Sequence, residues 1–300
     1  MVTIAPMSES AVPRRLLRLP YRAPYDFDAL LAFFSRRAIP GIETIDAQSY
    51  TRRFAFGATA GTLRVTQSAS AGALVLRVDG AESAQLPAIA ARVRRMFDVD
   101  ADIVSINAQL RRSAPLKRCV RRHPGQRLPG GWDGFEIAVR AVLGQQISVA
   151  AARTFATRLV ERFGAAATLP DGAPLRLFPL PQTLADADLT TIGLPRARAA
   201  ALNAIARAVC DGAVGFQPQQ TLEQFVASWV ELPGIGDWTA QYMAMRALSH
   251  ADAFPAADLV LRKAVTADGS LAPLQELRAM AEQWRPWRAY AVMHLWRSMP

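Results

Sequence analysis

Apolar residues follow two different periods along this chain. Between residues 49 and 78 they alternate with other residues, as in half-buried strands, and glycines separate the runs. The pattern predicts strands at 49–56, 61–67 and 73–78, with helices at 27–37 and 84–97. Residues 16–110 are therefore expected to form a small α/β domain with an antiparallel sheet, after a flexible lead at 1–15.

From Asp133 onward the apolar spacing is almost wholly helical. Pro286 is placed at the start of the last helix, because proline suits the first helical position. The fold class is thus α+β, with residues 128–300 as an all-helical domain in two lobes. Helices are predicted at 135–143, 148–163, 195–211, 222–230, 238–248, 259–266, 271–283 and 286–298.

Residues 111–127 carry a dense run of cations with prolines and a glycine between them. The segment is interpreted as a basic connection between the two domains, and a solvated linker is favoured over a dedicated binding site. Its cations are Arg111, Arg112, Lys117, Arg118, Arg121, Arg122 and Arg127.

Net charge is the part of the composition that says most about binding partners. The chain has 35 basic and 25 acidic residues, a formal net charge of +10. This balance fits a polyanionic partner such as nucleic acid, although a basic protein without such a partner has the same composition. Arginine supplies nearly all the cations, which suits phosphate recognition and is also what a GC-rich genome encodes.

Cysteine content and hydropathy exclude several classes of protein. Cys119 and Cys210 are the only cysteines, too few for a four-cysteine iron–sulfur cluster or a zinc knuckle. Residues 1–15 lack the apolar segment of a signal peptide, and no apolar run is long enough for a membrane span. The sequence predicts a cytoplasmic protein.

The string Leu232-Pro233-Gly234-Ile235-Gly236-Asp237-Trp238-Thr239-Ala240 carries the strongest chemical signal. Two glycines in a turn that opens a helix expose backbone amides, which can hold a phosphate at the positive end of the helix dipole. An ordinary turn between packed helices is the alternative. The amides around Gly234, Ile235, Gly236 and Thr239 are the candidate DNA contacts.

The fuller pattern resembles the helix-hairpin-helix DNA glycosylases, and in particular the AlkA-type DNA-3-methyladenine glycosylase II family. The resemblance covers nearly the whole chain in the right order. Besides the hairpin it rests on these strings: Pro20-Tyr21, Pro24-Tyr25-Asp26, Leu128-Pro129-Gly130, Phe135-Glu136, residues 140–150, Asp258-Leu259, residues 284–290 and His294-Leu295-Trp296.

Asp258 has two interpretations that do not compete. It is a good N-cap for the helix predicted at 259–266. The matching aspartate of the family caps that helix and is also catalytic. Cleavage of an N-glycosidic bond creates positive charge on the sugar, which a nearby carboxylate stabilises. Asp252, the other nearby carboxylate, is expected to lie on the surface.

Trp238 predicts how the reaction ends. Bifunctional relatives have a lysine at this position, and its amine attacks the sugar and permits strand cleavage. Lys263 is expected to point away from the direction of Asp258. The resemblance therefore implies a monofunctional enzyme that leaves an abasic site.

Trp238 and Tyr242 lie four residues apart and share a helix face, which core packing also explains. In the family the matching aromatics line the base pocket together with the residue matching Trp296. Electron-rich rings attract a base made cationic by alkylation, and such a base leaves without a general acid. His294 is expected to have a structural role.

Gln146 matches the position where the best-known family member inserts a leucine into the gap left by the flipped nucleotide. Gln145 and Ile147 are neighbouring candidates, and Gln145 equally suits a bracing role at the Gly144 break.

The resemblance implies hydrolysis of alkylated purines, of the 3-methyladenine and 7-methylguanine type, from double-stranded DNA by a monomer. No cofactor or catalytic metal is implied, although the family hairpin often holds a monovalent cation on backbone carbonyls. A glycosylase for mismatched or oxidised bases and a noncatalytic DNA-binding module are the rival interpretations. The N-terminal unit is assigned only a scaffolding role.

Overall fold

The computed structural model describes residues 15–57, 59–68, 72–169, 172–217, 219–266 and 268–299. Its N-terminal part is built on an antiparallel sheet with the strand order β1-β5-β4-β3-β2. The strands are β1 (Arg15–Pro20), β2 (Glu43–Ile45), β3 (Ser49–Phe56), β4 (Thr59–Gln67) and β5 (Ala73–Asp79).

The three predicted strands are confirmed as the centre of the sheet, and the two edge strands are additions. Strand β1 includes Arg15, which the sequence assigns to the flexible lead; residues 1–14 of that lead lie outside the described residues. Both edge strands are short, and each pairs with one neighbouring strand. They form by pairing with the sheet rather than because of a strong local sequence pattern.

Two helices cover the buried face of the sheet. They are α1 (Phe27–Ser35), capped by the Asp26 carboxylate, and α2 (Leu86–Met96). The rings of Phe34, Tyr50 and Phe97 meet between sheet and helices with centroid separations of 5.2–5.6 Å. This aromatic contact fixes α1, which forms one wall of the cleft described below.

The remaining helices form two lobes. One contains α5 to α10, with α10 packed on both α5 and α9; in the other, α13 packs on α4 and α11. A short hairpin of β6 (Ala165–Thr168) and β7 (Pro174–Leu177) interrupts the first lobe. The helices are α3 (Ile103–Leu110), α4 (Ala114–Arg122), α5 (Gly134–Leu143), α6 (Val149–Phe163), α7 (Pro181–Ala185), α8 (Arg196–Cys210), α9 (Leu222–Val230), α10 (Asp237–Ala247), α11 (Leu259–Ala264), α12 (Leu274–Glu282) and α13 (Arg288–Ser298).

Most predicted helices are confirmed to within a few residues, but the last begins later than predicted. Helix α13 starts at Arg288, and Pro286 lies before it. Trp287 occupies the N-cap position with a non-helical φ of −115°. The helix therefore begins after the proline instead of at it.

The segment predicted as a basic connection contains helix α4. Leu116 and Val120, four residues apart, are fully buried, and Ser113 just before the helix accepts a hydrogen bond from the buried Trp284 indole. The apolar stripe is only these two residues wide, so the cations around it conceal the helix from the sequence pattern. The segment is part of the second lobe rather than a linker.

A buried ion network joins the sheet to helix α5. Arg52 on β3 pairs with Glu136 on α5, and Arg140 on α5 pairs with both Glu136 and Glu43 at 2.6 Å. Tyr50 donates a further hydrogen bond to Glu43 at 2.8 Å. Burial opposes the charge of Glu43, but the two guanidinium groups outweigh it and lower the pKa of Glu43 to about 2.

A second polar contact ties the turn after α2 to α13. Both carboxylate oxygens of Asp98 accept from the hydroxyl of Tyr290, at 3.0 and 2.9 Å, and one also accepts from the Leu128 amide at 3.0 Å. Asp98 has a left-handed φ of 50°, which aspartate tolerates better than most residues. Burial raises the pKa of Asp98 to about 6 despite these donors.

Every helix in the described residues is too short or too polar to cross a bilayer.

The raised pKa of Asp98 predicts a specific pH dependence of stability. An aspartate in the unfolded chain titrates near pH 4, so the folded protein binds this proton more tightly. The resulting stabilisation is complete below about pH 4 and is lost as the pH rises through about 6. Asp98→Asn, which cannot titrate, should therefore lack it.

We expect wild type to gain roughly 1–3 kcal/mol over Asp98→Asn between pH 7 and pH 4, measured by denaturant unfolding at each pH. Glu43 acts equally in both proteins, so their difference isolates Asp98. A difference that does not vary with pH would contradict the prediction.

Candidate active site

A cleft of about 970 Å³ lies between the sheet domain and the two helical lobes. Helix α1 forms one wall, α5 and the turn after it another, and α10, α11 and α13 the rest. The side chains around it that enter the following argument are Phe33, Arg37, Arg140, Ile147, Trp238, Tyr242, Arg246, Asp258, Lys263 and Trp296.

The hairpin predicted from the sequence lies between α9 and α10. Gly234 has a φ of 80°, and a Cβ there would come within 2.9 Å of the Ala201 methyl, so conformation and packing both require glycine. Ile235 is buried and anchors the turn in the first lobe. Gly236 is exposed with open space around its Cα, and it is the N-cap of α10. The free backbone amides at the start of α10 therefore face outward and suit an anion.

Gln145 braces this hairpin from the opposite side. Its side-chain amide donates to the Gly234 carbonyl at 2.9 Å and to the Thr239 hydroxyl at 3.0 Å. Thr239 is 3% exposed, and its hydroxyl serves the brace. Only its backbone remains near the helix N-terminus.

Asp258 is held by four N–H donors from three helices. It caps α11, with Oδ1 accepting from the Val260 and Leu261 amides at 2.9 and 3.0 Å. The same oxygen accepts from the Trp296 indole of α13 at 3.2 Å. Oδ2 accepts from the Trp238 indole of α10 at 3.0 Å. Asp258 is half-buried at the cleft wall, where its orientation is fixed on both sides.

The three predicted aromatics meet beside this carboxylate. The Trp238 and Tyr242 rings stack at 5.4 Å with an interplanar angle of 9°, and Trp296 lies 6.3 Å from Tyr242. All three are partly exposed and line the cleft, so they are not simply core residues. Together they form an apolar, electron-rich aromatic slot beside Asp258.

The sequence did not reveal the opposite end of the cleft. The guanidinium groups of Arg37 and Arg246 lie 3.8 and 4.5 Å from the ring centroid of Phe33, and Arg246 donates to the Tyr242 hydroxyl at 3.1 Å. Burial lowers the pKa of Arg37 to about 10. Burial would raise the pKa of Tyr242, but Arg246 and Arg37 together lower it. Nothing in the spacing along the helix predicted at 27–37 marks Phe33 and Arg37 as anything but helix-face residues.

Three further residues differ from or refine the sequence-based expectations. Gln146 is exposed in a left-handed conformation with a φ of 58°, and its neighbour Ile147 lines the cleft. Lys263 was expected to point away from Asp258, but it lines the same cleft. Asp252 was expected on the surface, but it is largely buried in ion pairs with Arg285 and Arg288.

His294 packs in the interior, as expected for a structural residue. It is 1% exposed, and burial lowers the pKa of its imidazole to about 3. Neither of its ring nitrogens has a hydrogen-bond partner within the part of the chain that the structure describes. Among those same residues, His, Cys, Asp and Glu side chains form no group of three or more suited to a metal ion.

Comparison with known proteins agrees with this architecture. Residues 16–133 match the AlkA N-terminal domain, and residues 139–289 match the HhH-GPD superfamily base excision DNA repair protein. The chain belongs to the HhH-GPD superfamily of base excision DNA repair proteins.

Two curated relatives match over most of this chain. The probable bifunctional transcriptional activator/DNA repair enzyme AlkA of Mycobacterium tuberculosis is 36% identical over 94% of this chain, which spans only 57% of that relative's length. DNA-3-methyladenine glycosylase 2 of Escherichia coli is 33% identical, and the match covers 93% of this chain and 95% of the relative.

Solved structures show the same fold. A 3-methyladenine DNA-glycosylase from Archaeoglobus fulgidus superposes with a TM-score of 0.80 at 19% identity, covering 94% of this chain and 97% of that one. A Clostridium acetobutylicum 8-oxoguanine glycosylase/lyase in complex with double-stranded DNA superposes with a TM-score of 0.65 at 16% identity, covering 86% and 97% of the two chains.

The two adjacent glutamines should differ sharply when each is replaced by alanine. Gln145→Ala leaves the Gly234 carbonyl and the Thr239 hydroxyl without their donor, so we expect it to lower the free energy of unfolding by about 1–3 kcal/mol. Gln146→Ala alters an exposed side chain and should change this free energy by less than about 0.5 kcal/mol. Denaturant unfolding of both variants measures the difference, and equal effects would show that Gln145 does not brace the hairpin.

Proposed function

We propose that this protein is a monofunctional DNA glycosylase that hydrolyses the N-glycosidic bond of alkylated purines, such as 3-methyladenine and 7-methylguanine, in double-stranded DNA. The observation that carries the proposal is the Asp258 carboxylate, held by two indole N–H groups at the edge of an aromatic slot. The names of the Escherichia coli and Archaeoglobus fulgidus relatives support the substrate class.

The two oxygens of Asp258 have different tasks. Oδ1 already accepts three hydrogen bonds, whereas Oδ2 accepts one, from Trp238. A carboxylate has about four acceptor positions, so the unused capacity lies mainly on Oδ2. Oδ2 is therefore the atom that faces the sugar, stabilises the positive charge that develops as the glycosidic bond breaks, and orients the attacking water.

The aromatic slot takes the base. Alkylation at a ring nitrogen makes the base cationic, and the faces of Trp238, Tyr242 and Trp296 attract such a cation by about 0.5–2 kcal/mol per well-placed ring. The cationic base is also a good leaving group, so the reaction proceeds without a general acid. His294 cannot supply one in any case, because it is buried away from the surface with its pKa lowered to about 3.

DNA is held where the lesion can reach this slot. The outward amides around Gly236 bind a backbone phosphate without reference to sequence. Gln146, exposed at the turn after α5, fills the space that the flipped nucleotide leaves. Its left-handed backbone projects the residue from the turn, whereas Gln145 is turned inward to the hairpin.

The strand stays intact after base release. Trp238 occupies the place where a lyase has its lysine, and its indole instead holds Asp258. Lys263 is the one lysine among the described cleft residues, and its amine makes no ion pair with Asp258 within 4.0 Å. An unanchored amine at the cleft edge is not fixed for attack on the sugar.

The proposed enzyme works as a monomer, since one chain supplies every residue of the site. It acts in the cytoplasm, and its reaction requires no cofactor. The family's monovalent cation is compatible with the hairpin. The Leu232 and Gly234 carbonyls each accept one hydrogen bond and keep a second lone pair that such a cation can use.

Asp258→Asn tests the catalytic assignment. Asparagine keeps the size of the side chain but removes the negative charge, so base release from methylated duplex DNA should fall by at least about 10²–10³-fold in single turnover. Affinity for the lesion should persist, because the charge acts in the transition state. Asp211→Asn removes an exposed carboxylate just after α8, outside both the cleft and the hairpin, and is the matched control. High activity in Asp258→Asn would refute the assignment, and no release by wild type would refute the proposed function.

Borohydride trapping tests the absence of lyase chemistry. A Schiff base between a lysine and the sugar would be reduced to a stable enzyme–DNA adduct. We expect none with methylated DNA under conditions where wild type releases the base, and the same result with Lys263→Gln. An adduct that forms with wild type and disappears in Lys263→Gln would show that this lysine acts as a lyase nucleophile.

A further inference from the structure

The basic residues around helix α4 have no task in the site described above. Six of them are exposed, and within the described residues none forms an ion pair. Segment 111–122 contains no acidic residue. We name this set the α4 cations: Arg111, Arg112, Lys117, Arg118, Arg121 and Arg122.

The α4 cations account for most of the positive excess of the protein. Of the formal net charge of +10, six units lie in residues 111–122, which leaves +4 for the rest of the chain. The hairpin itself is flanked by Glu231 and Asp237, so it binds phosphate through amides rather than through a cationic field. The strongest concentration of positive charge is therefore on a different element.

Helix stability does not explain this concentration. Lys117 and Arg121, and likewise Arg118 and Arg122, lie four residues apart, where like charges repel. Cations near the C-terminus of a helix interact well with its dipole, which accounts for Arg121 and Arg122 on α4 and for Arg111 and Arg112 at the end of α3. It does not account for Lys117 and Arg118. Leu116 and Val120 face the core, and all six α4 cations are exposed to solvent.

Helix α4 lies on a different lobe from the hairpin but close to the cleft. It packs on α13 in the second lobe, whereas the hairpin belongs to the first. Gln126 lines the cleft and follows Arg122 by four residues, so their Cα atoms are at most about 14 Å apart. Each strand of a duplex carries one phosphate per roughly 3.4 Å, so that distance corresponds to about four phosphates.

We propose that the α4 cations form a second DNA-binding surface, which holds the phosphate backbone of duplex DNA independently of the hairpin. This inference rests on the proposed function, because it takes DNA as the partner. Its role is electrostatic and independent of sequence: it raises the affinity for undamaged duplex and keeps the enzyme on DNA while the hairpin and cleft sample nucleotides.

The test compares two variants with the same net charge. One carries Lys117→Gln, Arg118→Gln, Arg121→Gln and Arg122→Gln. The matched control carries Arg95→Gln, Arg162→Gln, Arg176→Gln and Arg278→Gln, which are exposed cations on other elements. Affinity for an undamaged duplex is measured by fluorescence anisotropy over a range of salt concentrations, and thermal unfolding verifies that both variants fold.

If two of the four α4 positions contact phosphates, the slope of log K against log salt falls by about 1.8 and the Kd at 0.15 M salt rises about thirtyfold. The control should keep the wild-type slope. Equal slopes for the two variants overturn the proposal. If the α4 variant loses more affinity for single-stranded RNA than for duplex DNA, the proposal is also overturned, because the surface then binds RNA. Base release by wild type is measured separately, so failure of the proposed function is distinguishable from failure of this surface.

Discussion

The hydrogen bonds to one carboxylate are the interaction on which the site depends. Asp258 receives donors from its own helix α11, from Trp238 on α10 and from Trp296 on α13. Its orientation therefore exists only when these three helices pack correctly. The same two indoles form the aromatic slot, so charge and base pocket are positioned by one set of bonds. A shift of α13 against α10 would disturb both at once.

The sheet domain contributes more than scaffolding. It supplies Phe33 and Arg37 to the cleft, and Arg140 of α5 donates to the Arg37 carbonyl at 2.8 Å. Arg140 also belongs to the buried network with Glu43 and Glu136. Removing one partner of a buried ion pair costs about 3–5 kcal/mol, because the other charge is left uncompensated. The network thus ties strands β2 and β3 and the turn after α1 to α5, and it holds this end of the cleft in place.

Sequence patterns predicted the parts of the site that are local. The hairpin, the Asp258 cap and the pairing of Trp238 with Tyr242 each depend on residues within one or two turns of helix, where spacing determines proximity. Arg37 joins them only through packing of separate domains, which no spacing records. Gln145 and Gln146 show the limit most clearly: adjacent and identical, they differ because the backbone of one turns left-handed and exposes it.

Helix α4 also shows what sequence patterns cannot predict, in this case because charged residues hide a helix. A short helix is marginal on its own and depends on tertiary packing, here of Leu116 and Val120 against the second lobe. The cations that crowd this narrow stripe are what make the segment resemble a linker in the sequence. Once the helix is formed, its buried side fixes the direction of its charged side. The features that conceal α4 in the sequence are therefore the ones that give the folded protein a stable, one-sided positive surface on the lobe that carries Trp296.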